Sequence, residues 1–217
     1  MNSTTLLKTA GFVRLLTAAS LIFAMAWQIT DRLAHDVFRP GEYFAYFTID
    51  SSMVAAVALA VAGVWALQGK VETAVMNRVR LSVATYAIVV GVVYNALLRG
   101  LPGSAADAGY VWPQAPNEIL HVWALIFIFL DFALMTFANP PRFKQMFWVW
   151  VFPLAWVVFT IIRGIFTGWW PYWFIDPTDP GGLPQMIEYI FGIMAFMLVS
   201  AVIAIAASKT NLIKARK

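Results

Sequence analysis

Residues 45–67 read AYFTIDSSMVAAVALAVAGVWAL, a few polar side chains followed by a long uncharged apolar run. An apolar stretch of about 20 residues crosses a bilayer core of about 30 Å as an α-helix. The whole chain shares this character, because 61% of its 217 residues are hydrophobic and only 12% are charged. Such a chain has too little polar surface for a water-soluble globule. The sequence therefore predicts an integral membrane protein.

Apolar stretches of similar length recur along the chain, separated by segments rich in Gly, Pro, Asn or charge. Six of them are present, at residues 12–30, 46–68, 79–101, 118–138, 147–166 and 184–207. No connecting segment is long enough to form a soluble domain, and no internal repeat is visible. We therefore predict an all-α membrane protein in which residues 1–217 form a single bundle of six transmembrane helices.

The first stretch has a second interpretation as a signal peptide, because Lys8 precedes it and Ala24-Met25-Ala26 resembles a cleavage site. The stretch continues beyond that site, and an even number of helices agrees with the distribution of basic residues. We therefore expect a transmembrane helix here. The sequence contains no Cys, so the fold uses neither disulfides nor thiolate chemistry.

The 15 Lys and Arg residues are distributed unequally between the two sides of this predicted bundle. One side carries only Arg32, Arg39, Arg99 and Arg163, and all the others belong to the opposite side. By the positive-inside rule, both termini of a multi-pass cell-membrane protein are expected in the cytoplasm. Membrane lipids are the expected partners, and no basic stripe interleaved with aromatic residues indicates nucleic acid. No pattern indicates an oligomeric state.

Polar residues within the spans concentrate near the predicted outer surface. They are Thr48, Asp50, Asn95, Arg99, Glu118, His121, Arg163 and Glu188. Ionisable groups at membrane depth are costly and usually face the bundle interior or a wet cavity. We therefore expect a shared polar pocket in the outer leaflet. Asp131 lies deeper in the fourth helix, where we expect either a hydrogen-bonded structural acid or a neutral one.

The spacing of these residues indicates which of them share a helix face. Asn95 and Arg99 are four residues apart, and Glu118 and His121 are three apart. A hydroxyl nucleophile, an imidazole base and donors for an oxyanion are the components of ester hydrolysis. No nucleotide-binding loop, paired metal-binding His motif, haem signature or GxSxG elbow is present in the sequence, so we expect neither a cofactor nor a metal.

Four segments resemble a known family: YFTIDSS, VVYNALLRG, NEILHVW and FPLAWVVFTIIRGIFTGWWPYWFIDP. They are similar, over nearly the whole chain, to bacterial six-helix membrane proteins related to the androgen-induced membrane hydrolases. In the animal branch of that family, a Thr and a His cleave fatty acid esters of hydroxy fatty acids. The resemblance implies that Thr48 and His121 are the catalytic pair of an intramembrane hydrolase of lipid-like esters.

The other polar residues have two interpretations each. Asn95 is expected either to stabilise an oxyanion or to form a hydrogen bond between helices. Asp50 or Glu118 is expected to orient the imidazole of His121. Arg99 and Arg163 are expected either to bind a substrate carboxylate or to form internal ion pairs with Asp50, Glu118 or Glu188.

The segment around Thr48 also has a structural interpretation, because the first N–H groups of a helix lack partners. We expect Asp50, Ser51 and Ser52 to cap the second helix while Thr48 faces the pocket. Two further functions remain open for the protein as a whole. One is a small-solute or proton-coupled transporter, and the other is a non-catalytic lipid-binding membrane protein.

Overall fold

The computed structural model describes residues 3–101, 107, 109–135 and 141–209, and within them the protein is all-helical. Six helices in these ranges are long and apolar enough to cross a membrane. They are α1 (Ser3–Ala34), α2 (Phe47–Leu67), α3 (Ala74–Leu98), α4 (Gln114–Leu134), α5 (Phe143–Thr167) and α6 (Gly182–Ser208). The predicted six-helix membrane fold is thereby confirmed, while the side on which the termini lie stays a prediction.

The helix boundaries differ from the predicted spans most clearly in α1. This helix begins before residue 12 and continues through the charged residues that follow residue 30. Charged residues do not break a helix, and no Pro occurs before Pro40. The chain turns only beyond Ala34, where Asp36 adopts a left-handed φ of 57°. The end of the predicted fourth span, residues 136–138, lies outside the described residues.

A close crossing of two glycines joins α1 to α2. A Cβ atom on Gly11 would lie 2.9 Å from the carbonyl oxygen of Gly63, and one on Gly63 would lie 3.0 Å from that of Gly11. Small residues let helix backbones approach in this way within membranes. The two helices therefore pack closely along their length, and the end of α1 lies beside the beginning of α2.

Aromatic rings hold the beginning of α2 in place. The Phe47 ring packs against Tyr86, Phe152 and Trp156, with centroid distances of 5.7, 5.5 and 5.3 Å. The Trp156 indole donates a hydrogen bond to the carbonyl oxygen of Ala45 at 3.1 Å. The first turn of α2, which contains Thr48, is thus fixed against α3 and α5.

Two of the six helices change to π-helical geometry at the same end of the bundle. In α3 the π-helical segment is Tyr94–Leu98, where the helix ends. In α4 it is Ile119–Trp123, close to the helix start. Single-turn π-helical segments are rare and occur frequently at functional sites. The end of the bundle at which both occur is therefore the candidate location of a functional site.

Four buried charged side chains join the helices near the opposite end. Arg14 and Arg80 are 1% and 2% exposed, and they contact Glu72 and Asp131. Asp131 is therefore a hydrogen-bonded structural acid, the first of its two predicted roles. The two arginines, which contribute to the predicted orientation, lie inside the protein rather than against lipid head groups.

Candidate functional site

A cavity of about 830 Å³, hereafter the vestibule, lies at the end of the bundle that carries both π-helical segments. It is bounded by the end of α1, the beginning of α2, the end of α3, the beginning of α4 and segment 168–176. Both Thr48, from α2, and His121, from α4, line it. The structure thus brings the two residues of the predicted catalytic pair to one space.

A smaller apolar pocket of about 60 Å³ adjoins the vestibule. The two spaces share four lining residues: Thr48, Tyr94, Leu98 and Tyr172. The rest of the pocket wall is apolar and includes Val90, Ile190 and Met194. Thr48 therefore lies where a polar space meets an apolar one. An arrangement of this kind suits an amphiphilic ligand, whose polar and apolar parts need different surroundings.

The imidazole of His121 is held in one tautomer by its own helix. Its Nδ1 lies 2.9 Å from the carbonyl oxygen of Asn117, one turn earlier. A carbonyl oxygen only accepts hydrogen bonds, so Nδ1 must carry the proton and donate it. In the neutral ring, Nε2 is then the nitrogen with a free lone pair. This is the protonation pattern that a general base requires.

Tyr94 and Asn117 fix the plane of this imidazole. The ring of Tyr94 stacks on His121 with a centroid distance of 3.9 Å and an interplanar angle of 25°. The side-chain amide of Asn117 donates to the Tyr94 hydroxyl at 2.5 Å. Asn117 therefore contacts both rings, one through its backbone and the other through its side chain. The two π-helical segments meet at this stack, since Tyr94 begins one and His121 lies within the other.

The first turn of α2 differs from the predicted cap. No side chain of Asp50 or Ser52 bonds to a described residue, and Ser51 donates back to the carbonyl oxygen of Thr48 at 3.3 Å. The prediction that these residues cap α2 is therefore wrong. The helix begins at Phe47 with Tyr46 at the N-cap, so Asp50, Ser51 and Ser52 lie too far into the helix to cap it.

Tyr172 is close to the Thr48 side chain and lines both the vestibule and the apolar pocket. Burial raises the pKa of the Tyr172 phenol. The phenol is therefore protonated at neutral pH and is available as a hydrogen-bond donor beside Thr48.

Three of the predicted site residues form a separate cluster outside the vestibule lining. The Arg99 guanidinium meets the Glu118 carboxylate at 2.7 and 2.9 Å, and its Nε donates to Asn95 at 2.7 Å. The Asn95 amide donates to the Gly91 carbonyl oxygen of its own helix at 2.7 Å. Arg99 thus forms the internal ion pair that was one of its two predicted roles.

The last two predicted residues also lie outside the vestibule lining. Arg163 stacks over the Trp169 ring at 4.5 Å. Asp50 is half-buried, and its carboxylate forms no hydrogen bond or ion pair to a described residue. The predicted contributions of Asn95, Asp50, Glu118, Arg99 and Arg163 to catalysis or substrate binding stay predictions.

Three residues of the site were not recognised from the sequence: Tyr94, Asn117 and Tyr172. Each lies within a segment quoted for the family resemblance. The spacing of four residues between Asn117 and His121 was a usable signal, because such residues are adjacent on a helix. The contacts of Tyr94 and Tyr172 depend on tertiary packing, which no local pattern encodes.

Within the part of the chain that the structure describes, no group of three or more His, Asp or Glu side chains could hold a metal ion. Comparison of the chain with protein-family models, with curated proteins and with solved structures finds no match. The chemistry of the vestibule therefore has to be inferred from the residues that line it.

Proposed function

We propose that this protein is an intramembrane hydrolase of lipid-like esters, with Thr48 as the nucleophile and His121 as the general base. The observation that supports this most is that both side chains, from different helices, line one cavity. The apolar surroundings of Thr48 favour an ester carried by an amphiphile, such as the fatty acid esters of hydroxy fatty acids that the family resemblance implies.

In the proposed reaction, the Thr48 Oγ1 attacks the ester carbonyl carbon while Nε2 of His121 accepts the hydroxyl proton. The tetrahedral intermediate then collapses, the bond to the alkoxy oxygen breaks, and the leaving alcohol takes the proton from His121. Water hydrolyses the acyl-threonine with His121 again accepting a proton, which finally returns to Thr48. The sum is one ester and one water converted to one acid and one alcohol.

Tyr172 is the donor best placed for the developing oxyanion. Its protonated phenol lies beside Thr48 and borders both the vestibule and the apolar pocket. Asn95, the donor predicted from the sequence, is exposed and bonded to its own helix. A preorganised donor at the oxyanion typically contributes about 10²–10³ in rate.

We also propose that the bundle lies in the cell membrane with both termini cytoplasmic, which places the vestibule toward the outer surface. The unequal distribution of Lys and Arg supports this orientation. The proposed partners are then membrane lipids and a lipid-like ester that enters from the surrounding bilayer.

Hydrolysis by the purified protein tests the proposal. The substrate is a fluorogenic long-chain ester, and the variants are Thr48→Val, Thr48→Ser and His121→Gln. Thr48→Val replaces the hydroxyl with a methyl group of similar size, so we expect the rate of hydrolysis to fall to the background rate. Ser keeps the hydroxyl and should retain part of the rate. The loss of the base in His121→Gln should lower the rate at least 10²-fold.

The chain offers matched controls for both residues. Thr30 is an exposed helical threonine bonded to its own helix, and His35 is exposed with Nδ1 2.8 Å from the carbonyl oxygen of Asp31. Thr30→Val and His35→Gln should leave hydrolysis unchanged. Equal activity of Thr48→Val and wild type would refute the nucleophile.

The apolar pocket equally favours a second candidate, a non-catalytic lipid-binding protein. This alternative predicts that the purified wild type binds long-chain amphiphiles but hydrolyses none of a panel of esters above the rate of the Thr48→Val variant. The same measurement therefore distinguishes the two functions.

A further inference from the structure

The vestibule contains a guanidinium whose hydrogen-bond donors are not filled. Arg32 lines the vestibule, and its guanidinium lies 5.6 to 6.0 Å from the rings of Tyr43, Tyr110 and Trp112. It forms no hydrogen bond to a described residue. It forms an ion pair with Asp107 at 3.8 Å, a distance that is too long for a hydrogen bond.

The carboxylate of Asp107 is already satisfied by another residue. Arg39 contacts it directly and also contacts Glu42 at 2.7 Å. Arg39, Asp107 and Glu42 therefore form a closed cluster with one positive and two negative charges. Arg32 balances this cluster in charge while keeping its own N–H groups free, and a guanidinium with free donors is suited to bind an oxyanion such as phosphate.

A carboxylate without a cation lies elsewhere on the vestibule wall. Asp176 accepts hydrogen bonds from the backbone N–H and the hydroxyl of Thr178, at 2.7 and 2.6 Å, and forms no ion pair with a described residue. Three tryptophans of the same segment, Trp169, Trp170 and Trp173, line the vestibule with it. Aromatic faces and a carboxylate together attract an ammonium group, and quaternary ammonium ligands are typically bound in this way.

Tyr46 lies between the surroundings of Arg32 and those of Asp176. Its ring packs against Trp169 and Tyr172, with centroid distances of 5.5 and 5.7 Å. Burial raises the pKa of the Tyr46 phenol, and the nearby charge of Arg32 partly offsets this effect. Arg32 and the tryptophan-rich segment thus border one continuous space, in which Arg32 offers N–H donors without hydrogen bonds and Asp176 offers a carboxylate without a described cation.

We infer that the vestibule binds the zwitterionic head group of an amphiphile, with a phosphate on Arg32 and an ammonium group against Asp176 and its tryptophans. The hydrocarbon chain enters the apolar pocket beside Thr48. The inference rests on the proposed function for the position of the ester bond, and among lipid-like esters it favours those with such a head group over fatty acid esters of hydroxy fatty acids. Binding itself requires no cleavage.

Displacement of a fluorescent alkyl phosphocholine from the protein, purified in a nonionic maltoside detergent, tests this inference. The competitors are dodecylphosphocholine, dodecyl phosphate, dodecyltrimethylammonium and phosphocholine without a chain, each below its micelle concentration. We expect dodecylphosphocholine to bind about tenfold or more tightly than each of the others, because each charge-assisted contact contributes about 1.5–3 kcal/mol.

Two variants separate the two charges. In Arg32→Met, dodecylphosphocholine should bind no more tightly than dodecyltrimethylammonium. The affinity of dodecyltrimethylammonium itself should be the same as in wild type. In Asp176→Asn, dodecylphosphocholine should bind no more tightly than dodecyl phosphate. The Oδ1 atom of the new asparagine can still accept the hydrogen bonds from Thr178. The controls are Arg78→Met, another arginine that lies over a tryptophan, and Asp179→Asn in the same loop. Neither residue lines the vestibule, and both variants should bind as wild type does.

Each contrary result overturns the inference in a different way. If dodecyl phosphate binds most tightly of the four competitors, the ligand is anionic rather than zwitterionic. If phosphocholine without a chain binds as tightly as dodecylphosphocholine, the ligand is a water-soluble molecule rather than an amphiphile. Equal weakening of all competitors by both variants, with unchanged unfolding temperatures, would show that neither charge contacts the head group. Because none of the competitors contains a carboxylic ester, their binding does not depend on whether Thr48 is a nucleophile.

Discussion

Arg14 and Asp131, 117 positions apart in the chain, form a buried ion pair in which Nε donates to both carboxylate oxygens at 2.9 and 3.0 Å. Arg80 contacts the same carboxylate at 2.5 Å, and Glu72 contacts both arginines at 2.7 and 2.5 Å. The four charges cancel, and none of the four residues lines the vestibule. The network therefore holds α1, α3, α4 and the segment before α3 together, at a distance from the site.

Loss of one charge from this network should destabilise the protein strongly. Asp131→Leu leaves two buried guanidinium groups with a single carboxylate, and breaking a buried pair costs about 3–5 kcal/mol. We expect a clearly lower unfolding temperature in detergent, whereas the loop variant Asp179→Asn should match wild type.

The double variant Arg14→Met/Asp131→Leu makes this prediction specific to charge. It leaves Arg80 paired with Glu72, so its loss of stability should be smaller than the sum of the two single losses. Additive losses would mean that the side chains contribute by packing alone.

The orientation of the bundle is testable with reporter fusions. Fusions at Lys70 and Pro141 should report a cytoplasmic location, and a fusion at Asp107 should report an external one, because the side with more Lys and Arg stays inside. The reverse pattern would move the vestibule to the cytoplasmic surface and would remove the proposed access from outside.

The stack of Tyr94 on His121 predicts a graded response to substitution. Tyr94→Phe keeps the ring and loses only the bond from Asn117, so the hydrolysis rate should fall slightly. Tyr94→Leu removes the stacked ring and frees the imidazole, and we expect kcat to fall about tenfold with little change in KM. The pH profile of kcat should shift only in Tyr94→Leu. Identical kinetics of the two variants would show that the stack does not position the base.

Tyrosine ionisation should set the upper pH limit of stability. Burial raises the pKa of four phenols outside the spans, those of Tyr43, Tyr46, Tyr110 and Tyr172. In the unfolded chain these groups ionise near pH 10, so unfolding releases protons above that pH and stability falls as the pH rises further. Thermal unfolding between about pH 8 and 11 should show this decline. The decline should be smaller in Tyr172→Phe, and an equal decline in that variant would contradict a buried Tyr172 phenol.

The sequence was sufficient for the six spans because length and apolar composition alone determine what crosses a bilayer. It was insufficient for the ion network. Glu72 lies in a short charged segment between two spans, and it is only 6% exposed. Its burial depends on Arg14 and Arg80 from two helices, and no local pattern encodes such pairing.

The candidate site was predictable only in part, for the same reason. The positions of Thr48 and His121 at helix starts on one side of the membrane followed from topology, and both line the vestibule. The π-helical geometry at Tyr94 and His121 depends on packing between α3 and α4. Tyr172 lines both spaces beside Thr48 from a distant loop, and the polar sequence around Thr48 did not reveal this.

The central claim is that Thr48 is a nucleophile activated by His121, and covalent labelling tests it most directly. The purified protein is treated with a fluorophosphonate, and the modified peptide is identified by mass spectrometry. We predict a phosphonylated Thr48 in the wild type, retained in Thr30→Val and His35→Gln and absent in Thr48→Val and His121→Gln. Modification of another residue, or equal labelling of the wild type and Thr48→Val, would contradict the account.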